Sequence, residues 1–455
     1  MKWVFAALLL VMGLLCIPAQ RGLHDPIPPG KTRLVWITDD NPVRKQQIEL
    51  FNQLHPHIDL KIDPTNAGME KVIVQSLAGV GPDLFDCYNG FQLEAYVRAG
   101  IAADITQDML DLGIDVGKII WPAVAVTNIT GGRVYGFPGN AAADAIFYNK
   151  DIFDRMGIPY PGRQMTWDEL VAVAQRLTVR DENGRATQFG FLTDWWKWQD
   201  LAMMWGARMF SDDGTRCIID SPEAIAAVEF LHSLIYKHKV MPSPVEEASA
   251  SQGGWGSGTI AFFNGGKGAM AFGGRWWLCT LRDNKDLRLG VTLAPFGPGR
   301  VYRGYGRSTL VSANTKHRKE ALEFMAHLAG PAYNQLINDQ ADAVGPVAKY
   351  CAGERFLHNP EYPEETYNDL WAEAMDLGVP DEVSPYVNGN LANRILGKQL
   401  DLVKNDQKSP ADALKAAAAE INEQIDAARG VGIARGEGSA RGERTARADG
   451  TGGGA

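Results

Sequence analysis

Between Arg33 and Ala99 the chain alternates three times between a short apolar run and a helical pattern, and this constrains the fold more than any other feature. Arg33-Leu-Val-Trp-Ile-Thr38 has the composition of a buried strand. Asp39-Asp-Asn-Pro42 stops it and caps a helix with Val43, Gln47, Leu50, Phe51 and Leu54 at helical spacing. His57–Ile62 alternates as a second strand, Met69–Ala78 follows as a helix, and Gly79-Val-Gly-Pro82 breaks it. Asp83–Asp86 is a third strand and Phe91–Ala99 a third helix. Strand and helix in strict succession predict a parallel sheet with crossover helices. Ligands of such sheets sit beyond the carboxyl ends of the strands, where Thr38–Asn41, Asp86–Gly90 and Phe137–Asp144 lie. Asp40, Asn89 and Asp144 are therefore candidates to bind ligand hydroxyls. Helix capping explains Asp39 or Asp40 equally well, and a turn explains Asp86 and Asn89.

The next constraint is the stretch Val134–Lys150. Gly136, Pro138 and Gly139 restrict its first half to a short edge segment and a bend. Ala145–Tyr148 is apolar and β-favouring and stops at Asn149-Lys150. We read it as the place where the chain leaves one lobe for another, which sets Asn140 and Asp144 in or near a cleft. A length of 455 residues is too great for one core and supports that division. The net charge of -9 gives no basic face for a nucleic acid.

Beyond the crossover, Thr166 and Glu169 form a capping box, Asp181-Glu-Asn-Gly184 is a hairpin tip, and Ser221-Pro222 starts a helix. Thr193-Asp-Trp-Trp-Lys-Trp198 carries three Trp in four positions, which cannot all face one core. Ala269–Phe272 is a strand ending at Gly273-Gly-Arg-Trp-Trp277, where small residues let a ligand approach and a ring stacks on it. The 12 Trp favour a ligand with flat apolar faces, such as a sugar. Trp195, Trp196, Trp255 and Trp276 are the candidate stacking rings, each set against a structural role. Arg303 and Arg307, in a Gly-containing loop, are candidates to pair a ligand carboxylate or an acidic sugar, against an ordinary surface role.

Lys2, the apolar run Trp3–Ile17 and Pro18-Ala19-Gln20 match a secretory signal peptide. Cleavage near Ala19, lipidation at Cys16 and a retained anchor are the three outcomes open. Export permits disulfides, and either a Cys217–Cys279 bridge or buried free thiols suit the sequence; Cys87 and Cys351 complete the set. No CxxC or His spacing marks a metal site. From Gly430 the chain is Gly, Ala, Arg and Glu with few apolar positions and reads as a disordered tail.

Leu34-Val-Trp-Ile37, Gly81-Pro-Asp83, Val134-Tyr-Gly-Phe-Pro138, Phe147-Tyr-Asn-Lys150 with Thr166-Trp-Asp-Glu169, Phe263-Asn-Gly-Gly-Lys-Gly-Ala-Met270 to Trp276, and Ser409-Pro410 recur in this order. In this the chain resembles the family-1 extracellular solute-binding proteins, the maltose-binding-like substrate-binding components of ABC sugar importers. The resemblance implies a two-lobed α/β fold of the type II periplasmic binding class, each lobe a mixed sheet flanked by helices, with a hinge between. It divides the chain into 1–19 (signal or anchor), 20–30 (linker), 31–141 and 289–338 (first lobe), 142–288 and 339–429 (second lobe), and 430–455 (tail). It implies a monomer that traps a mono- or oligosaccharide by hinge closure and delivers it to membrane permease subunits, outside the cytoplasm, with no cofactor and no metal. Asp40, Asn89, Asp144 and Trp276 match positions of the family's motifs; Trp195, Trp196, Trp255 and Arg303 are placed by loop position alone. A non-sugar solute such as a glycerol phosphate, polyamine or peptide is the alternative. A cleft glycoside hydrolase using Asp40 and Asp144 is a further one, weakened by the lack of a Glu at a strand end in the cleft and of a Gly-x-Ser-x-Gly motif.

Overall fold

A computed structural model describes residues 26–63, 68–250 and 258–448. The signal region, Cys16 and Trp255 lie outside them. Two five-stranded sheets organise the chain. In the first, Thr32–Ile37 pairs in parallel with Ile58–Asp63 on one side and Leu84–Cys87 on the other. Ser308–Val311 then pairs antiparallel with Leu84–Cys87, and Gly136–Pro138 closes the far edge. Gly136 is required there, because a Cβ would stand 2.1 Å from the Thr309 carbonyl oxygen. Pro138, which lacks a ladder donor, is tolerated at this edge.

The second sheet runs Leu289–Leu293, Asp144–Asn149, Gly268–Gly274, Ala186–Leu192, Val179–Arg180. Its centre is aromatic. Trp277 lies flat on Phe147, ring centroids 5.5 Å apart, and Trp371 of the helix Asn368–Asp376 covers the same ring at 5.4 Å. The Thr166–Glu169 capping box and the Ser221 cap form as the sequence predicts.

Three segments cross between the sheets and are tied by their backbones. Ala141 exchanges hydrogen bonds with Val344, and Ala142 with Tyr305. The sequence places a crossing near Leu289. Instead Leu289–Leu293 is the edge strand of the second sheet, paired with Asp144–Asn149, and the chain returns to the first sheet only at Ser308. A short apolar run carries no mark of which sheet it joins. Helical backbone in the last helix, Pro410–Ala448, continues where the sequence predicts a disordered tail from Gly430. Ala, Arg and Glu are strong helix formers. Cys87, Cys217, Cys279 and Cys351 are all buried free thiols, so the Cys217–Cys279 bridge does not form. Among the described residues no helix is long and apolar enough to cross a membrane.

One buried group gives the first lobe a pH dependence. His327, on the helix Arg318–Ala329, is enclosed by Phe51, Phe324 and Tyr333. Burial, with His55 adding repulsion, lowers its pKa to about 4. The unfolded chain therefore binds the proton more readily. The stability from this histidine is complete above its unfolded pKa of about 6.5 and is lost as pH falls towards 4. By pH 5 the loss is about 2 kcal/mol. Urea unfolding of the native protein and His327→Phe at pH 7 and pH 5 should show the native protein losing more by about this amount; equal losses would contradict it.

Candidate functional site

The strand Ala186–Leu192 ends in a tight turn, Trp195–Lys197, and the strand Gly268–Gly274 in a second, Arg275–Trp277. Both deliver side chains to the crossing segment that carries Tyr305. The Tyr305 hydroxyl donates to Asp144 Oδ1 at 2.7 Å and accepts from Trp276 Nε1 at 3.1 Å and Lys197 Nζ at 3.3 Å. Lys197 also donates to Asp144 Oδ2. The Trp196 ring meets the Tyr305 ring edge-on at 6.5 Å. Gly274 makes this approach possible, since a Cβ there would stand 2.5 Å from Trp276 Nε1 and 2.8 Å from the Tyr305 hydroxyl. Burial, then the charge of Asp144, raises the Tyr305 pKa well above its ordinary value, so the phenol stays protonated and can donate.

Behind this cluster, Arg303 grips Asp381 through Nε at 2.5 Å and Nη2 at 3.0 Å and reaches Asp200 at 3.4 Å. Burial raises the Asp200 pKa above the carboxylate range, with Lys197 and Arg303 opposing. Asn89 and Arg303 line one pocket with Phe91, Trp198, Met209 and Glu382. Its non-atom space is about 620 Å³, mouth included. Phe91 of the first lobe meets Phe210 of the second at 6.1 Å, so the lobes touch beside this pocket.

The strand ends of the first sheet carry a buried charge network. Asp86 accepts from Trp36 Nε1 at 2.9 Å and from the Thr38, Tyr88 and Thr309 hydroxyls. Arg307 lies 3.6 Å from it. Arg44 joins Asp39 at 2.6 Å and Asp342 at 3.1 Å. The two buried carboxylates are pushed in opposite directions: burial raises the Asp86 pKa, whereas at Asp342 the nearby Arg44 and Arg307 outweigh burial and lower it.

The candidates divide accordingly. Asp144, Trp196 and Trp276 converge on Tyr305. Asp144 is buried and both its oxygens are engaged by the chain. Trp196 is 46% exposed and Trp276 half-buried. Asn89 caps the helix Gly90–Arg98, accepting from the Gln92 backbone at 2.9 Å, while it lines the pocket. Asp40 is exposed, three residues beyond the end of the first strand at Ile37. Trp195 is half-buried against Thr193, Met241 and Phe262 in a small separate hollow. Arg303 is not open to a ligand carboxylate, because burial required a carboxylate partner and Asp381 supplies it. Arg307 is likewise buried rather than at the surface. Sequence reasoning missed Lys197 and Tyr305. The one signal was their setting: a lysine among three Trp and a tyrosine between two glycines.

Residues 37–335 match the family model of the bacterial extracellular solute-binding protein. A binding protein of Brucella abortus (strain 2308) is 25% identical over 434 residues, covering 88% of this chain and 97% of that protein. An arabinooligosaccharide-binding protein of Bacillus subtilis (strain 168) is 22% identical, covering 87% of this chain and 93% of its own. Among solved structures, an ABC substrate-binding protein of Listeria monocytogenes in complex with cycloalternan superposes with a TM-score of 0.74 at 21% identity, over 87% of this chain and 99% of that one. At that identity the likeness is one of fold: two lobes, each a mixed sheet flanked by helices.

Proposed function

Because the chain belongs to the bacterial extracellular solute-binding protein family, we propose that it captures a neutral carbohydrate between its lobes and delivers it to the membrane subunits of an ABC importer. Its fold is the type II, maltose-binding-like one. The observation that carries the ligand class is the meeting of Trp196 and Trp276 with the polar groups of Tyr305, Lys197 and Asp144. Flat rings suit the apolar faces of a sugar, and the half-buried Tyr305, held from behind by the buried Lys197 and Asp144, sets a polar edge beside them.

Charge pairing favours a neutral ligand over a glycerol phosphate or an acidic sugar. The cations around the cleft already hold carboxylates: Lys197 with Asp144, Arg303 with Asp381, Arg307 with Asp86, Arg44 with Asp39 and Asp342, Arg208 with Glu382. An anionic ligand would have to break such a pair. The family is one of binding proteins, and no bond-breaking step is assigned to this chain. Both oxygens of Asp144 are already engaged, by the Lys197 ammonium and the Tyr305 phenol. The protein acts outside the cytoplasm as a monomer, with its first nineteen residues serving as export signal or anchor.

Melting against a panel of mono- and oligosaccharides tests this. A ligand at 100 times its dissociation constant adds about 2.7 kcal/mol. Silence across the sugars with a response to glycerol phosphates or peptides would overturn the carbohydrate reading. Once a sugar responds, Trp276→Ala should weaken it by about 1–3 kcal/mol in calorimetry, the scale of one stacked ring. An unchanged affinity would remove Trp276 from the site.

A further inference from the structure

The Lys197 ammonium sits in a cage that the chain builds around it. The side chain is fully buried. Its Nζ lies 3.9 Å from the Trp196 ring centroid, 4.8 Å from Tyr305 and 5.7 Å from Phe272. Asp144 closes the cage with its carboxylate, and the Tyr305 hydroxyl accepts a second bond. Aromatic faces around a carboxylate are the groups that recognise an ammonium ion. Of its walls, Trp196 is the exposed one.

We propose that this cage is a cation subsite of the ligand cleft, filled by the chain's own lysine, and that Lys197 thereby sets the cleft's specificity against cationic ligands. This rests on the reading that the Trp196–Trp276 face is the ligand site. With Lys197 in place, an incoming amine or quaternary ammonium meets a like charge and finds Asp144 already paired. A neutral ligand meets only Tyr305 and the two Trp, because Lys197 and Asp144 are buried behind them. Removing the ammonium leaves an acidic, ring-walled hole, and that hole takes a small alkylammonium.

The test compares the native protein with Lys197→Ala, Lys197→Met and the double variant Lys197→Ala/Asp144→Asn. Each is titrated with n-butylammonium and tetramethylammonium chloride against sodium chloride at equal ionic strength, by melting and calorimetry. Lys197→Ala should gain saturable binding of at least one ammonium, while the native protein responds as it does to sodium. The double variant should bind at least about tenfold more weakly, since its carboxylate is gone. Lys197→Met, which refills part of the hole, should fall between. If Lys197→Ala does not fold alone, its refolding yield with and without butylammonium becomes the readout, and recovery by the amine supports the cage. Equal responses in native and variant proteins, no recovery by either amine, or full binding by the double variant would overturn it. A sugar panel on the same native sample separates the two readings. Ammonium binding by Lys197→Ala with no sugar response keeps the cage and removes the carbohydrate; a sugar response without ammonium binding does the reverse.

Discussion

Arg307→Met should destabilise the protein by about 3–5 kcal/mol, the range for removing one partner of a buried ion pair. The guanidinium lies 3.6 Å from Asp86, donates to the Tyr333 hydroxyl at 3.3 Å and stands 5.1 Å over the Trp36 ring. Burial works against its charge, and Asp86, Tyr333, Asp39 and Asp342 more than offset that, so its pKa is raised. Without it Asp86 keeps its hydrogen bonds from Trp36, Thr38 and Thr309 but loses the opposite charge. The pair is coupled, so Arg307→Met/Asp86→Asn should lose less than the sum of the single changes. Urea unfolding of the three variants measures this. A loss below about 1 kcal/mol for Arg307→Met would mean that the network is no better than neutral packing.

Trp277→Ala should cost about 3–5 kcal/mol, as large-to-small changes of buried aromatic residues do. The ring is fully buried, stacked on Phe147 and tilted against Phe263 at 6.4 Å. It also braces Trp276, which meets it edge-on at 6.1 Å. A second readout follows from that contact: in the folded fraction of Trp277→Ala, sugar affinity should fall although no contact residue has changed. Thermal unfolding and calorimetry on one preparation give both values. A stability loss under about 1 kcal/mol would show that neighbouring side chains refill the hole.

Much of the fold was legible because its signals are local. Apolar periodicity marked the first three strands, Thr166 and Glu169 announced their cap, and Gly136 with Pro138 confined their segment to an edge. The affiliation of Leu289–Leu293 was not legible, because strand pairing is decided by residues far along the chain. The site divides the same way. Trp276 was singled out from the glycines before an aromatic pair, and the structure sets its Nε1 against the Tyr305 hydroxyl. Lys197 drew no reading, since its contacts exist only when the segments bearing Asp144, Trp196 and Tyr305 converge. Arg303 was weighed as a partner for a ligand carboxylate against an ordinary surface role; its partner Asp381 is remote in sequence, and the carboxylate it holds is one of the protein's own.

The position of Ser308–Val311 between Leu84–Cys87 and Gly136–Pro138 has a kinetic consequence. The first lobe cannot finish its sheet until the whole second sheet has been synthesised, because its missing strand comes last. Contacts this distant in sequence slow folding. Until then Leu84–Cys87 and Gly136–Pro138 each present an open edge, a template for pairing with other chains. A chain cut short before Ser308 would keep both edges open for good and should aggregate where the full-length protein does not.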